Sequence, residues 1–206
     1  MSLSNTKICN MALGKIGAQR INNFDDTSEK TPQSIYCRLF YEPTRDALIR
    51  SHFWRFASAR KILSQDSNDP VFEYDNQFIL PVDFLRLRSF YDSNGSPTST
   101  TYYSYSIEGD RLLTNDSTCY IRYTKRVEDA SKFDPLFVEV LVLELALKLG
   151  GALGKATTGM QKNLHDELRI LMPQVRALDR EEQNTTGLAN IGTWVQSRSA
   201  YRIKRI

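Results

Sequence analysis

From Phe133 to Leu149 the chain reads FDPLFVEVLVLELALKL, and Glu139, Glu144 and Lys148 are its only charges after Pro135. Leu136, Phe137, Val140, Leu141, Leu143, Leu145, Ala146, Leu147 and Leu149 cover most of a helical circumference, which predicts a central helix packed on several sides. Asp134 is placed to cap it, with Pro135 at the first helical position where its missing N–H costs nothing. The Gly150-Gly151 pair is expected to end it. A bilayer span takes about 20 predominantly apolar residues, so a run interrupted this often is not one.

Two earlier stretches and one later one repeat apolar residues at three-to-four spacing. Ser4 predicts the cap of a first helix carrying Ile8, Met11, Ala12 and Ile16, with Gly17 closing it. Residues 18–31 read as a polar connection. Thr31-Pro32 then opens a second helix, with Ile35, Tyr36, Leu39, Phe40, Ala47 and Leu48 as its apolar stripe and Pro43 expected to kink or restart it. Thr157-Thr158 opens a last, amphipathic helix, striped by Met160, Leu164, Leu168, Leu171, Val175 and Leu178, that Pro173 is expected to bend.

Between His52 and Lys125 the rhythm changes from helical to alternating. Strands are predicted over Gln77 to Leu80, Leu85 to Tyr91, Tyr102 to Glu108, Arg111 to Leu113 and Thr118 to Thr124. Asn94-Gly95 marks a hairpin tip in the polar loop at 92–101, and Gly109-Asp110 a tight two-residue turn. The expected class is therefore α+β, a bundle of about four helices with an inserted antiparallel β region. The boundaries fall at 1–56 (two helices), 57–126 (β insertion), 127–184 (two helices) and 185–206 (an extended tail).

Composition refines this. The chain has 206 residues, 41% hydrophobic and 25% charged, near soluble averages. Its N-terminus lacks the apolar core and cleavage site of a signal peptide, so a cytoplasmic start is expected. Cys9, Cys37 and Cys119 have no CxxC spacing and read as free buried thiols. Net charge is +3, but Arg198, Arg202, Lys204 and Arg205 give the last 22 residues +4, leaving the body at −1. A mildly acidic body with a basic tail points to a localised contact surface.

Chemistry is sparse. His52 and His165 lie in different predicted elements with no further ligand close in sequence, so no metal and no cofactor are expected. GGALGK at 150–155 lacks the GxxxxGK[ST] spacing and follows a helix, so it reads as a helix break. There is no GxSxG, and no catalytic residue is assigned. Glu139 and Glu144 are the carboxylates best placed for glycan hydrolysis. Five residues put them about 140° apart on a helix, which favours one arginine-paired buried position and one solvent edge. The tail could touch nucleic acid, with Trp194 and Tyr201 as stacking platforms, but without a basic stripe on the body this would be nonspecific phosphate contact.

Six stretches together resemble one family, the tail tubular protein A or head-to-tail adaptor of short-tailed phages. They are ALGKIG with INNFDD, RDALIRSHFWRFA, YDNQFILPVDFLRL, YSIEGDRLLT, IRYTKRVEDASKFDPLFVEVLVLELALKL, and EEQNTTGLANIGTWVQSR. They span nearly the whole chain in family order. His52-Phe53-Trp54 departs from the HPW pattern usual in that family. The resemblance implies a structural virion protein, not an enzyme, with twelve copies in a ring between the portal and the tail nozzle. DNA passes through the ring's lumen without being read. It also implies assembly in the host cytoplasm and residence in the virion tail. Peptidoglycan or polysaccharide hydrolysis, proposed for some relatives, is the alternative. Residues 185–206 are expected to order on the portal, with Trp194, Val195 and Tyr201 as apolar anchors and Arg198, Arg202, Lys204 and Arg205 pairing with acids. The β region and its 92–101 loop are expected to face the nozzle.

Overall fold

The computed structural model describes residues 3–91 and 105–181. The fold is α+β, with helices before Ser58 and after Lys125 and all described strands between them. The 92–101 loop and the tail lie outside the described residues.

Helix α1 (Asn5–Lys15) starts where the Ser4 side chain accepts from the Lys7 N–H, and Gly17, at φ +65°, ends the turn that follows. Ile8, Cys9, Ala12 and Leu13 are its buried face, while Met11, predicted to be on the stripe, is exposed. The polar connection is more than a solvated link. The Asn10 side chain bonds both the N–H and the carbonyl of Ile21, at 2.8 and 3.0 Å, and Thr6 Oγ1 accepts from the Phe24 N–H at 3.0 Å. These bonds seat Ile21 and Phe24 in the core, Phe24 edge-on to Tyr41 at 5.1 Å.

Helix α2 (Pro32–Ser51) runs as one helix through Pro43, so of the two expectations there, a kink or a restart, the restart is corrected. Pro43 is exposed, which puts the carbonyl it fails to bond on the solvent side. Thr44 Oγ1 also donates to the neighbouring Phe40 carbonyl at 2.6 Å. The predicted stripe is off in phase. Cys37, Tyr41, Thr44, Arg45, Leu48 and Ile49 are buried, and Ile35, Leu39 and Ala47 face out.

The two-sheet module follows, with β1 (Ser58–Ile62), β2 (Ser64–Gln65), β3 (Asn76–Ile79), β4 (Phe84–Tyr91), β5 (Tyr105–Glu108), β6 (Arg111–Thr114) and β7 (Tyr120–Lys125). Sequence reading misses β1 and β2, since SARKI and SQ carry no apolar alternation. One sheet has the order β1-β7-β4 and the other β2-β3-β6-β5, all neighbours antiparallel. Glu108 pairs with Arg111 across the predicted Gly109-Asp110 turn, and Gly109 adopts φ +59°, which favours glycine. The sheets face each other across Phe78, Leu112, Phe90, Ile121 and Tyr123.

Helix α3 (Pro135–Ala152) is central as expected, with Asp134 accepting from the Leu136 and Phe137 N–H groups. Helices α1 and α2 pack on it, as does α4 (Thr158–Glu181). It does not stop at the glycine pair. The helix runs through to Ala152, and Gly154, at φ +60°, makes the reversal. Gly150 is there for closeness, because a Cβ at that position would lie 2.7 Å from Ala156 Cβ. Helix α4, 24 residues and roughly 36 Å long, begins with Thr157 Oγ1 accepting from the Met160 N–H and continues through Pro173. Leu164 and Val175 are buried on the predicted stripe, whereas Leu178 is exposed and its neighbour Asp179 turns inward.

Candidate interaction surface

Buried polar chemistry concentrates where α2, α4 and the β module meet. His52 Nε2 lies 2.9 Å from Asp179 Oδ2, and Asp179 Oδ1 accepts from the Arg55 N–H at 3.1 Å. Burial pushes the His52 imidazole below its ordinary value, outweighing the pull of Asp179 in the other direction. The geometry suits a neutral ring donating its Nε2–H to the carboxylate, which pins the end of α4 to the end of α2. Since the folded state resists protonating His52, stability present above pH ~6.5 is lost as the pH falls through that value toward the lower folded one. Thermal midpoints measured from pH 7.5 to 5 should fall for the native chain, and the fall should be shallower in His52→Gln.

This pair is not a metal centre. Among the described residues no three His, Cys, Asp or Glu side chains converge, and His165 is exposed on α4. Glu139 is exposed on α3 and Glu144 half-buried, and neither takes part in a described ion pair, so the expected buried, arginine-paired position is absent among the described residues. Arginine-paired carboxylates with little exposure lie elsewhere, at Asp46 on α2 and at Asp66 after β2. The three cysteines are free and buried. Burial pushes the Cys119 thiol up to about 12, so none of it is thiolate at neutral pH.

Contact surface is more abundant than chemistry. Ile35 and Leu39 are one turn apart on the outer side of α2, and Ile170 and Leu178 are exposed on α4. In the β module Val71 is 97% exposed, Phe72 77%, Val82 98% and Ile62 56%. Isolated exposed apolar residues are ordinary, but pairs on one face, recurring on separate elements, mark surfaces made to be covered. No described helix is long and apolar enough to cross a membrane. The portal-binding residues predicted at Trp194, Val195, Arg198, Tyr201, Arg202, Lys204 and Arg205 all lie outside the described residues.

Residues 66–75 form an acidic loop that sequence reading passed over. They contain four acids and no cation, and they hang on the outer face of the second sheet. Arg111 pairs with Asp66 there, Gln77 Nε2 donates to the Asn68 carbonyl at 2.7 Å, and the Asp75 N–H donates to Asn115 Oδ1 at 2.9 Å. The backbone at Glu73 is held at φ +73°, a conformation uncommon for a residue with a Cβ. The loop is thus a built feature that directs Val71 and Phe72 into solvent. Its only sequence signal is two apolar residues between acids in DPVFEYD.

No protein-family model matches the chain, and no curated protein matches it.

Proposed function

We propose that this chain is a structural adaptor subunit of the head-to-tail type found in short-tailed phages, working by contact and without catalysis. Copies join in a ring, of twelve by the resemblance, that seats on a portal at one side and receives a tail nozzle at the other. DNA passes through the lumen unread. The chain would assemble in the host cytoplasm and reside in the virion tail. One observation carries this reading: paired apolar side chains are left exposed on α2, on α4 and in the β module of the same subunit. An enzyme acting alone has no use for that distribution, whereas a subunit touching neighbours on several sides requires it. Residues 185–206, basic and rich in apolar anchors, supply the portal contact in this scheme, with Trp194 and Tyr201 filling pockets.

Electron microscopy of the purified chain, alone and mixed with a short-tailed-phage portal ring, tests it. Added density on one end of the portal, lost when residues 185–206 are deleted from an otherwise folded chain, is the expected result. A portal left bare by the full-length chain would overturn the adaptor role.

A further inference from the structure

The acidic loop and a basic cleft lie on opposite outer faces of the β module. In the first sheet, Ile62 pairs with Tyr120 and Tyr120 with Tyr91, while Arg60 pairs with Arg122. Residues directly opposed across antiparallel strands share a face, so these side chains stand together. Their neighbours Ile121, Tyr123 and Phe90 point the other way, into the core. The outward face is hollowed into a cleft of about 490 Å³ lined, among the described residues, by Arg60, Lys61, Ile62, Tyr91, Tyr120 and Ile121, of which Lys61 and Ile121 oppose each other and turn their side chains to the other face. Arg60 and Arg122 give the outward side cationic groups. The Tyr91 phenol is held below its ordinary value, first by a hydrogen bond from Ser89 and then by Arg122 and Arg60.

In the second sheet, Phe78 and Leu112 face inward, while Gln77 and Arg111 face outward and carry the loop. The cleft and the Val71-Phe72 tip are therefore separated by the thickness of two packed sheets, about 10 Å between the sheets plus the outer side chains. Within one subunit they cannot meet. Between subunits they complement each other in polarity and sign: two apolar side chains flanked by Asp69, Glu73 and Asp75, and an aromatic-lined hollow flanked by Arg60 and Arg122. The chain's own tail, with four cations and no acid, has the wrong sign for this cleft.

We infer that the Val71-Phe72 loop of one copy inserts into the Ile62-Tyr91-Tyr120 cleft of the next, making a heterologous, head-to-tail contact between copies of this chain. Such a contact uses two different patches per subunit and propagates through successive copies, closing into a ring if the rotation permits. It specifies where copies meet in the assembly proposed above. It rests on that reading only for its biological setting.

Cysteine cross-linking tests it, because the native thiols are buried and give little background. Ile62→Cys/Val71→Cys, oxidised while assembled, should give a ladder of covalent dimers, trimers and higher species on a non-reducing gel. Each single variant should give none beyond traces. Val71→Ser/Phe72→Ser should raise the self-association constant for dissociation at least ten-fold in sedimentation equilibrium. Asp69→Lys/Glu73→Lys should do the same and recover when mixed with Arg60→Glu/Arg122→Glu. A native chain that stays monomeric overturns the contact. So does an equally strong dimer from Val71→Cys alone, which would mean loop meeting loop, or association unchanged by both loop variants. Salt-sensitive DNA binding abolished by Arg60→Glu/Arg122→Glu, with no ladder, would also overturn it and assign the cleft to phosphate. Portal binding measured on the same proteins separates the two readings. A ladder without portal binding keeps this contact and removes the adaptor role, and portal binding without a ladder does the reverse.

Discussion

Trp54→Ala should lower the unfolding free energy by about 3–5 kcal/mol, the usual cost of emptying a large aromatic site. Trp54 is 1% exposed and follows the end of α2, where the chain turns from helix to sheet. Its Nε1–H donates at 2.9 Å to the Leu48 carbonyl, one of the last of the helix, which also accepts from Ser51 Oγ at 2.8 Å. Its ring meets Phe137 edge-on at 5.1 Å and His52 at 5.0 Å, and Phe56 and Phe133 complete the cluster around Phe137. Truncation thus removes buried area, favourable ring geometry and a helix-end hydrogen bond together. With total stability on the order of 5–15 kcal/mol, the variant would sit near the threshold of folding. Urea denaturation followed by circular dichroism reads the loss. Trp54→Phe should cost less, since it keeps most of the ring and the Leu48 carbonyl retains the Ser51 hydroxyl as donor. A loss below about 1 kcal/mol in Trp54→Ala would mean that the cluster relaxes around the gap.

Helix starts were legible because they depend on single side chains: Ser4, Thr31, Asp134 and Thr157 all cap as their types and positions indicate. Helix faces and stops were less so. On α2 the inward positions include Thr44 and Arg45, so a stripe drawn through the apolar residues rotates away from the buried side. In the sequence Gly150 reads as a terminator because glycine usually is one, yet it serves close packing against Ala156, a contact visible only in three dimensions. Strands β3 and β4 announced themselves by alternation, while β1 is recruited by pairing with β7 and has little pattern of its own. The candidate interface divides the same way. The tail's anchors and charges are conspicuous in the sequence. The Val71-Phe72 tip is not, because two apolar residues in a polar stretch look alike whether they point into a core or away from it. Only the outward face of β3 and β6, with the loop hung from it, decides the direction.

Asp46→Ala should be nearly as damaging as the loss of Trp54, at about 3–5 kcal/mol, for an electrostatic reason. Asp46 Oδ1 lies 2.8 Å from Arg45 Nε and Oδ2 lies 2.8 Å from Arg126 Nε, so one carboxylate joins α2 to the segment leaving β7. The two arginines are not equivalent. The Arg45 side chain is 4% exposed, over the Tyr41 ring, whereas that of Arg126 is 37% exposed. Removing the carboxylate strands the Arg45 guanidinium away from water, and that desolvated charge accounts for most of the cost. The outer pair is solvent-screened and accounts for less than about 1 kcal/mol. Three further variants separate these contributions. Arg126→Ala should be mild. Arg45→Met should cost less than Asp46→Ala, because it removes the charge that would be stranded and fills the space with an apolar chain. Arg45→Met combined with Asp46→Ala should be more stable than Asp46→Ala alone, a non-additivity that two independent packing defects would not produce. Equal losses for Asp46→Ala and the double variant would show that Asp46 acts chiefly through Arg126, as the clasp between the helical body and the β module.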